Sequence, residues 1–159
     1  MKKLSLFLLV IMIILLGAAA YLRLGARLIV TNAAVNVRGA STAPEEWASL
    51  FVDLTDGAFQ GRVIADAGMS NSDDFEFRTY SIGLRNLGML RAEWITIAVR
   101  AEEGDIIEYG EQRGFSLAPY SGGTITVRTL ALASSPVERV VTVSYYVYGR
   151  PFSIETLVR

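Results

Sequence analysis

The chain of 159 residues contains neither cysteine nor histidine. The first absence excludes disulfides, thiolate metal sites, iron–sulfur clusters and cysteine nucleophiles. The second removes the commonest general base and zinc ligand, and with them any serine–histidine–acid triad. Carboxylate-only chemistry and an oxygen-ligand calcium site stay open. Lysine is confined to Lys2 and Lys3, and every later basic residue is arginine. These arginines are scattered and form no basic stripe of the kind that tracks phosphates, so no nucleic-acid partner is expected. Proline numbers only four, and there is no internal repeat or low-complexity tract.

Charge is placed unevenly, although the net value is only -1. Lys2, Lys3, Arg23 and Arg27 cluster around an apolar run, while the acids all come later, from Glu45 on. The run from Leu4 to Leu22 carries no charge, and about 20 apolar residues cross a hydrocarbon core as a helix. Tyr21 near its far end suits an interface, and Arg23 and Arg27 can reach headgroups beyond it. A cleaved signal peptide is the competing reading. Lys2 and Lys3 would be its positive start, Leu6 to Leu16 its apolar centre, and Ala18 and Ala20 its cleavage site. Continuation of the run into Tyr21 and Leu22 favours an uncleaved anchor. An apolar segment this close to the start acts as an export signal, so the N-terminus is expected inside and the rest outside.

Beyond the anchor, assigned to residues 1–24, the chain divides into a juxtamembrane segment, 25–44, and a domain, 45–159. The segment from Gly25 to Arg38 reads as a strand without a clean face, with breaks at Asn36 and Gly39. EEWASLFVDL, Glu45 to Leu54, reads as a short helix. Thr42 with Glu45 resembles a capping box, and Trp47, Leu50, Phe51 and Leu54 share one face. The rest alternates with period two. Tyr80, Ile82 and Leu84 share one parity, followed by Ile95, Ile97 and Val99, then Ile125 and Val127. Val140 to Tyr148 is almost entirely β-branched or aromatic. Val141, Val143, Tyr145 and Val147 are expected inward, and Gly149-Arg150-Pro151 returns the chain through Phe152 to Val158. Short alternating strands with turn signals between them predict an all-β, two-sheet sandwich, with a barrel as the alternative.

Thr79 to Val99, TYSIGLRNLGMLRAEWITIAV, resembles a strand–turn–strand unit of bacterial cell-adhesion-related and other immunoglobulin-like surface domains, with Asn86 and Gly88 at the turn. Phe115 to Ala131 is similar to their Leu-x-Pro element, through Leu117 and Pro119, with glycines at Gly122 and Gly123. The resemblance covers about a third of the chain and leaves Glu45 to Leu54 as an insertion. It implies an immunoglobulin-like β-sandwich, expected here behind the one N-terminal transmembrane helix that the apolar run provides. It also implies a spacer or binding module and supplies no catalytic residue to carry over; no cofactor is expected.

Two acidic groups are candidate calcium sites. One is Asp66, Asp73, Asp74 and Glu76, whose spacing departs from that of an EF-hand. The other is Glu102, Glu103, Asp105, Glu108 and Glu111, which could bind calcium or a basic partner but reads first as a solvated loop, and no tight metal site is expected from either group. Trp94, Tyr146 and Tyr148 form a candidate interaction surface, since aromatic residues supply large contact area at low entropy cost. The expected function is a membrane-anchored, extracytoplasmic structural or protein-interaction module of the cell envelope. The alternative is a ligand-binding module for calcium or glycan. No enzyme is expected, because the side chains that carry most acid–base and nucleophilic catalysis are missing. The expected partners are the lipid bilayer, through the N-terminal helix, and a protein of unknown identity.

Overall fold

The computed structural model of the chain describes residues 2–25, 27–65, 71–110 and 114–159. Helix α1 spans Lys2–Gly25, and its window Leu4–Tyr21 is long and apolar enough to cross a bilayer, with no residue of it buried. Strand β1 (Leu28–Gly39) and helix α2 (Pro44–Thr55) follow, then β2 (Gly61–Val63), β3 (Phe75–Asn86), β4 (Ala92–Val99) and β5 (Asp105–Tyr109). The chain continues through β6 (Phe115–Leu117), β7 (Gly122–Leu132), β8 (Arg139–Val147) and β9 (Arg150–Val158).

All the pairings are antiparallel, and they make two sheets, β1-β3-β7-β5-β2 and β6-β4-β8-β9. Setting aside the three-residue edge strands β2 and β6 leaves β1-β3-β7-β5 facing β4-β8-β9. In chain order that is A-B-E-D over C-F-G, the strand order of an immunoglobulin-like sandwich. The expected fold class is therefore the observed one, a β-sandwich preceded by an apolar helix.

Alternation explains the core. Tyr80, Ile82 and Leu84 of β3 meet Ile95, Ile97 and Val99 of β4 and Val141, Val143, Tyr145 and Val147 of β8 in one buried cluster. Tyr145 stacks on Phe152 across the β8–β9 pair, at 5.5 Å between ring centroids. A second cluster lies on the outer face of the larger sheet. There α2 sets Leu50 and Trp47 over Phe75, Phe77, Ile107 and Leu130, with the Trp47 and Phe75 rings 5.4 Å apart.

Several expectations change. The sandwich begins at Leu28 and not at residue 45, because β1 pairs with β3 from Leu28↔Asn86 to Gly39↔Glu76. Asn36 lies inside that strand, opposite Thr79. No single face was visible because a bulge after Val30 swaps the parity. Leu28 and Val30 face the core before it, and Ala33 and Val35 face the core after it. Helix α2 forms where expected, with Pro44 in the first turn beside Glu45 and Glu46, but without a capping box. Ala43 is the capping position, and the Thr42 hydroxyl donates to the Gly39 carbonyl instead. Phe51 is exposed, so the buried stripe of α2 is narrower than expected.

The acidic connection is also redrawn. Asp105–Tyr109 is a strand with buried Ile106 and Ile107, and Asp105 and Glu108 are buried as well. Each of those carboxylates meets a guanidinium. Asp105 accepts from Arg139 Nε at 3.0 Å and Nη2 at 2.9 Å, while Glu108 accepts from Arg62 at 2.6 Å. Burial pushes the Glu108 carboxyl above its ordinary range, and Arg62 opposes that rise. For Arg139, burial works against the charge, yet the hydrogen bond and charge of Asp105 prevail and hold it more firmly protonated than usual.

Two predictions follow from this packing. In a fragment comprising residues 27–159, Val143→Asp places a charge in a dry interior and is expected to lose several kcal/mol of a total of about 5–15. Thr142→Asp, half-buried on the other face, is expected to lose much less; equal losses in chemical denaturation would contradict the register. Asp105→Asn removes the buried, two-pronged counter-charge of Arg139 and leaves only the half-exposed Glu102, 3.4 Å away, so it is expected to cost about 2–4 kcal/mol, somewhat less than the full penalty of an unpaired buried charge. Asp105→Asn combined with Arg139→Met is expected to recover part of that loss.

Candidate functional site

Trp94, Tyr146 and Tyr148 come together at one end of the outer face of the smaller sheet. Trp94 sits in a β-bulge, where the pairing of β4 with both β6 and β8 slips between Ala92 and Thr96. Ala92 and Ile95 are both buried, so Glu93 and Trp94 bulge outward between them. Trp94 is 68% exposed and has φ of 50°, in the left-handed region that side chains rarely adopt. Gly114 leaves room for it, since a Cβ there would press on the Trp94 backbone and ring.

Tyr146 pairs opposite Glu93 and is 42% exposed, whereas Tyr148 opens the β8–β9 turn at 72% exposure. Glu93, Trp94, Thr96, Tyr146 and Gly149 line an open depression of about 600 Å³. Tyr148 flanks this depression without lining it. Glu93 and Gly149 were not foreseen as site residues. The bulge that turns Glu93 outward has no signature in the alternation, and Gly149 reads only as a turn.

Positive φ values recur at this end. Among the described non-glycine residues, Trp94, Tyr120 and Tyr148 have them, at 50°, 60° and 49°. All three are aromatic and exposed. Such conformations persist where surrounding structure imposes them, and they concentrate at functional positions.

The acidic candidates fare differently. Asp66 and Glu111 lie outside the described residues. Asp73 and Asp74 sit on a single exposed helical turn ahead of β3, and Glu76 pairs with Arg78. Asp105 and Glu108 are engaged by arginines, and Glu102 lies 3.4 Å from Arg139. Among the described residues, no group of three potential carboxylate ligands converges.

Arginine pairing divides the sandwich. Arg38, Arg62, Arg78, Arg100, Arg128, Arg139 and Arg159 each have a carboxylate within salt-bridge distance. Among the described residues, the exposed Arg27, Arg85, Arg91 and Arg150 have none.

No protein-family model matches the chain, and no curated protein matches it. Solved structures similar to it include the GAE domain of yeast GGA1, with a TM-score of 0.39 and 12% identity, covering 62% of this chain and 96% of that one. The GAE domain of GGA2p from Saccharomyces cerevisiae is similar at a TM-score of 0.36 and 8% identity, covering 62% of this chain and 94% of that one. Both likenesses are too distant to carry function.

Trp94→Gly separates a contact role from a packing role. Glycine relieves a left-handed strain of about 1–2 kcal/mol and adds about 0.5–1 kcal/mol of unfolded-state entropy. Little packing is lost at so exposed a ring, so the melting temperature of the 27–159 fragment is expected to stay level or rise. A fall of more than about 8 °C, corresponding to roughly 2 kcal/mol in a domain of this size, would show that the ring holds the fold.

Proposed function

We propose that this chain is a membrane-anchored, extracytoplasmic structural or protein-interaction module of the cell envelope. In this reading α1 is the anchor and the Trp94–Tyr146 depression is the contact surface. The observation that carries it is the exposed aromatic surface, presented by a bulge at the expense of backbone strain. A sandwich that served only as filler would have no use for a tryptophan held outward in a left-handed conformation. Resemblance to bacterial immunoglobulin-like surface domains, which serve as spacers or binding modules, supports the same reading.

The anchor is tested by washing native membranes with high salt and carbonate. The protein is expected to stay in the pellet with Leu4–Tyr21 present in its mass, whereas a soluble mature chain lacking that segment would favour the signal-peptide reading. The surface is tested by photo-crosslinking in those membranes from position 94, with Thr126, exposed on the opposite sheet, as control. A saturable protein adduct from 94, absent from 126 and competed by excess unlabelled chain but not by Trp94→Gly chain, is expected. Equal labelling from both positions would refute the surface.

A further inference from the structure

The end of the sandwich that receives α1 differs from the rest in both charge and apolarity. Gly25, the last residue of α1, is buried against Leu90, and a side chain on Gly88 would collide with the Gly25 carbonyl. The Leu87 amide donates to the Arg27 carbonyl at 2.7 Å. The end of the helix is thus fastened to the β3–β4 turn. Asn86 ties that turn to the β6–β7 turn, its side-chain amide donating to the carbonyls of Leu90, Leu117 and Ala118. Antiparallel pairing of β4 with β8 brings the Tyr148–Gly149 turn to the same end.

This end exposes Met89 and Tyr120, each at 60%. Among the described residues, the arginines without carboxylate partners, Arg27, Arg85, Arg91 and Arg150, also lie here, and Glu93 is the acid that accompanies them. Beside Arg85 and Tyr120, the glycines Gly83, Gly122 and Gly123 leave the sheet surface bare and open a depression of about 520 Å³.

Length sets where this end stands. The 18 residues Leu4–Tyr21 rise roughly 27 Å, close to the thickness of a hydrocarbon core. From Tyr21 to Gly25 the axis rises about 6 Å more, and each headgroup layer is about 5–7 Å deep. The β3–β4 turn, in contact with Gly25, therefore stands at headgroup level.

We infer that this end of the sandwich rests on the bilayer that holds α1, with Met89 and Tyr120 entering the interface and the unpaired arginines meeting lipid phosphates. Tyrosine suits that layer because its ring is apolar and its hydroxyl is wet. Arginine pairs with phosphate in fork geometry, and anionic leaflets attract it further. The inference rests on α1 being a membrane anchor. It implies that the domain is held at a fixed attitude, with the Trp94–Tyr146 surface close above the lipid.

The absence of native cysteine makes the test direct. Single cysteines at Met12, Met89, Tyr120 and Ser134 of the full chain, one chain per nanodisc, carry a fluorophore quenched by lipids spin-labelled at the headgroup or along the acyl chain. Met12 lies within α1, and Ser134 lies in the β7–β8 turn at the far end. Acyl-chain quenching at 12, headgroup quenching at 89 and 120 several-fold above that at 134, and stronger quenching with phosphatidylserine than with phosphatidylcholine are expected. Arg85→Gln with Arg91→Gln and Arg150→Gln is expected to lower quenching at 89 in phosphatidylserine discs while leaving it unchanged at 12. Quenching at 89 and 120 no greater than at 134, with 12 still in the acyl region, overturns the resting face but leaves the anchor standing. Loss of acyl quenching at 12 overturns the anchor, and the resting face with it.

Discussion

The buried pair of Asp105 and Arg139 is the contact on which the sandwich closes. Asp105 belongs to the larger sheet and Arg139 to the smaller, and both are almost wholly removed from water. Here the β7–β8 connection passes from one sheet to the other and leaves carbonyls that no strand partner takes. Arg139 collects those of Pro136 and Glu138, and Arg78 those of Leu132, Ser135 and Pro136. The Tyr80 hydroxyl donates to the Val137 carbonyl, and burial pushes its ionisation above the ordinary range. A hydrophobic plug would take from the Ser135, Pro136 and Glu138 carbonyls, at the rim of the core, the side-chain donors they have in the fold. Two guanidiniums satisfy them, and Asp105 supplies the counter-charge that lets one of them be buried.

The opposite end is closed by a neutral group. Asn86 reaches three carbonyls from two turns and accepts from the Gly88 amide. A neutral amide suffices there because no charge has to be compensated. The contrast leaves the two ends chemically different. Paired charge is concentrated away from α1, and unpaired arginine with exposed aromatic rings is concentrated next to it. A sandwich with such ends has a direction, and its contact through Gly25 and Gly88 allows that direction to be held relative to the end of α1.

Legibility varied with how local each signal was. The parity of Val141, Val143, Tyr145 and Val147 is a property of one strand, and all four are buried as expected. Trp94 was legible as outward-facing for the same reason. Its neighbour Ala92 was not legible as buried, because the bulge at Glu93 and Trp94 resets the alternation. The bulge in β1 did the same to Leu28–Val35 and hid a sandwich strand inside what read as a juxtamembrane segment. In Asp105–Tyr109 the density of carboxylates masked a strand. Only the arginines brought in from residues 62 and 139 make those acids tolerable in a core.

The sequence by itself determined the apolar helix, the turn at Asn86 to Gly88, the β8–β9 hairpin and the absence of cysteine and histidine chemistry. Each of these depends on residue type and near-neighbour spacing. Tertiary structure alone decided which arginines find carboxylates and which three aromatic residues are held at positive φ. It also decided that Trp94, Tyr146 and Tyr148 share an end with the helix. Those outcomes depend on strand order and register, which pair residues dozens of positions apart through cooperative hydrogen bonding and burial.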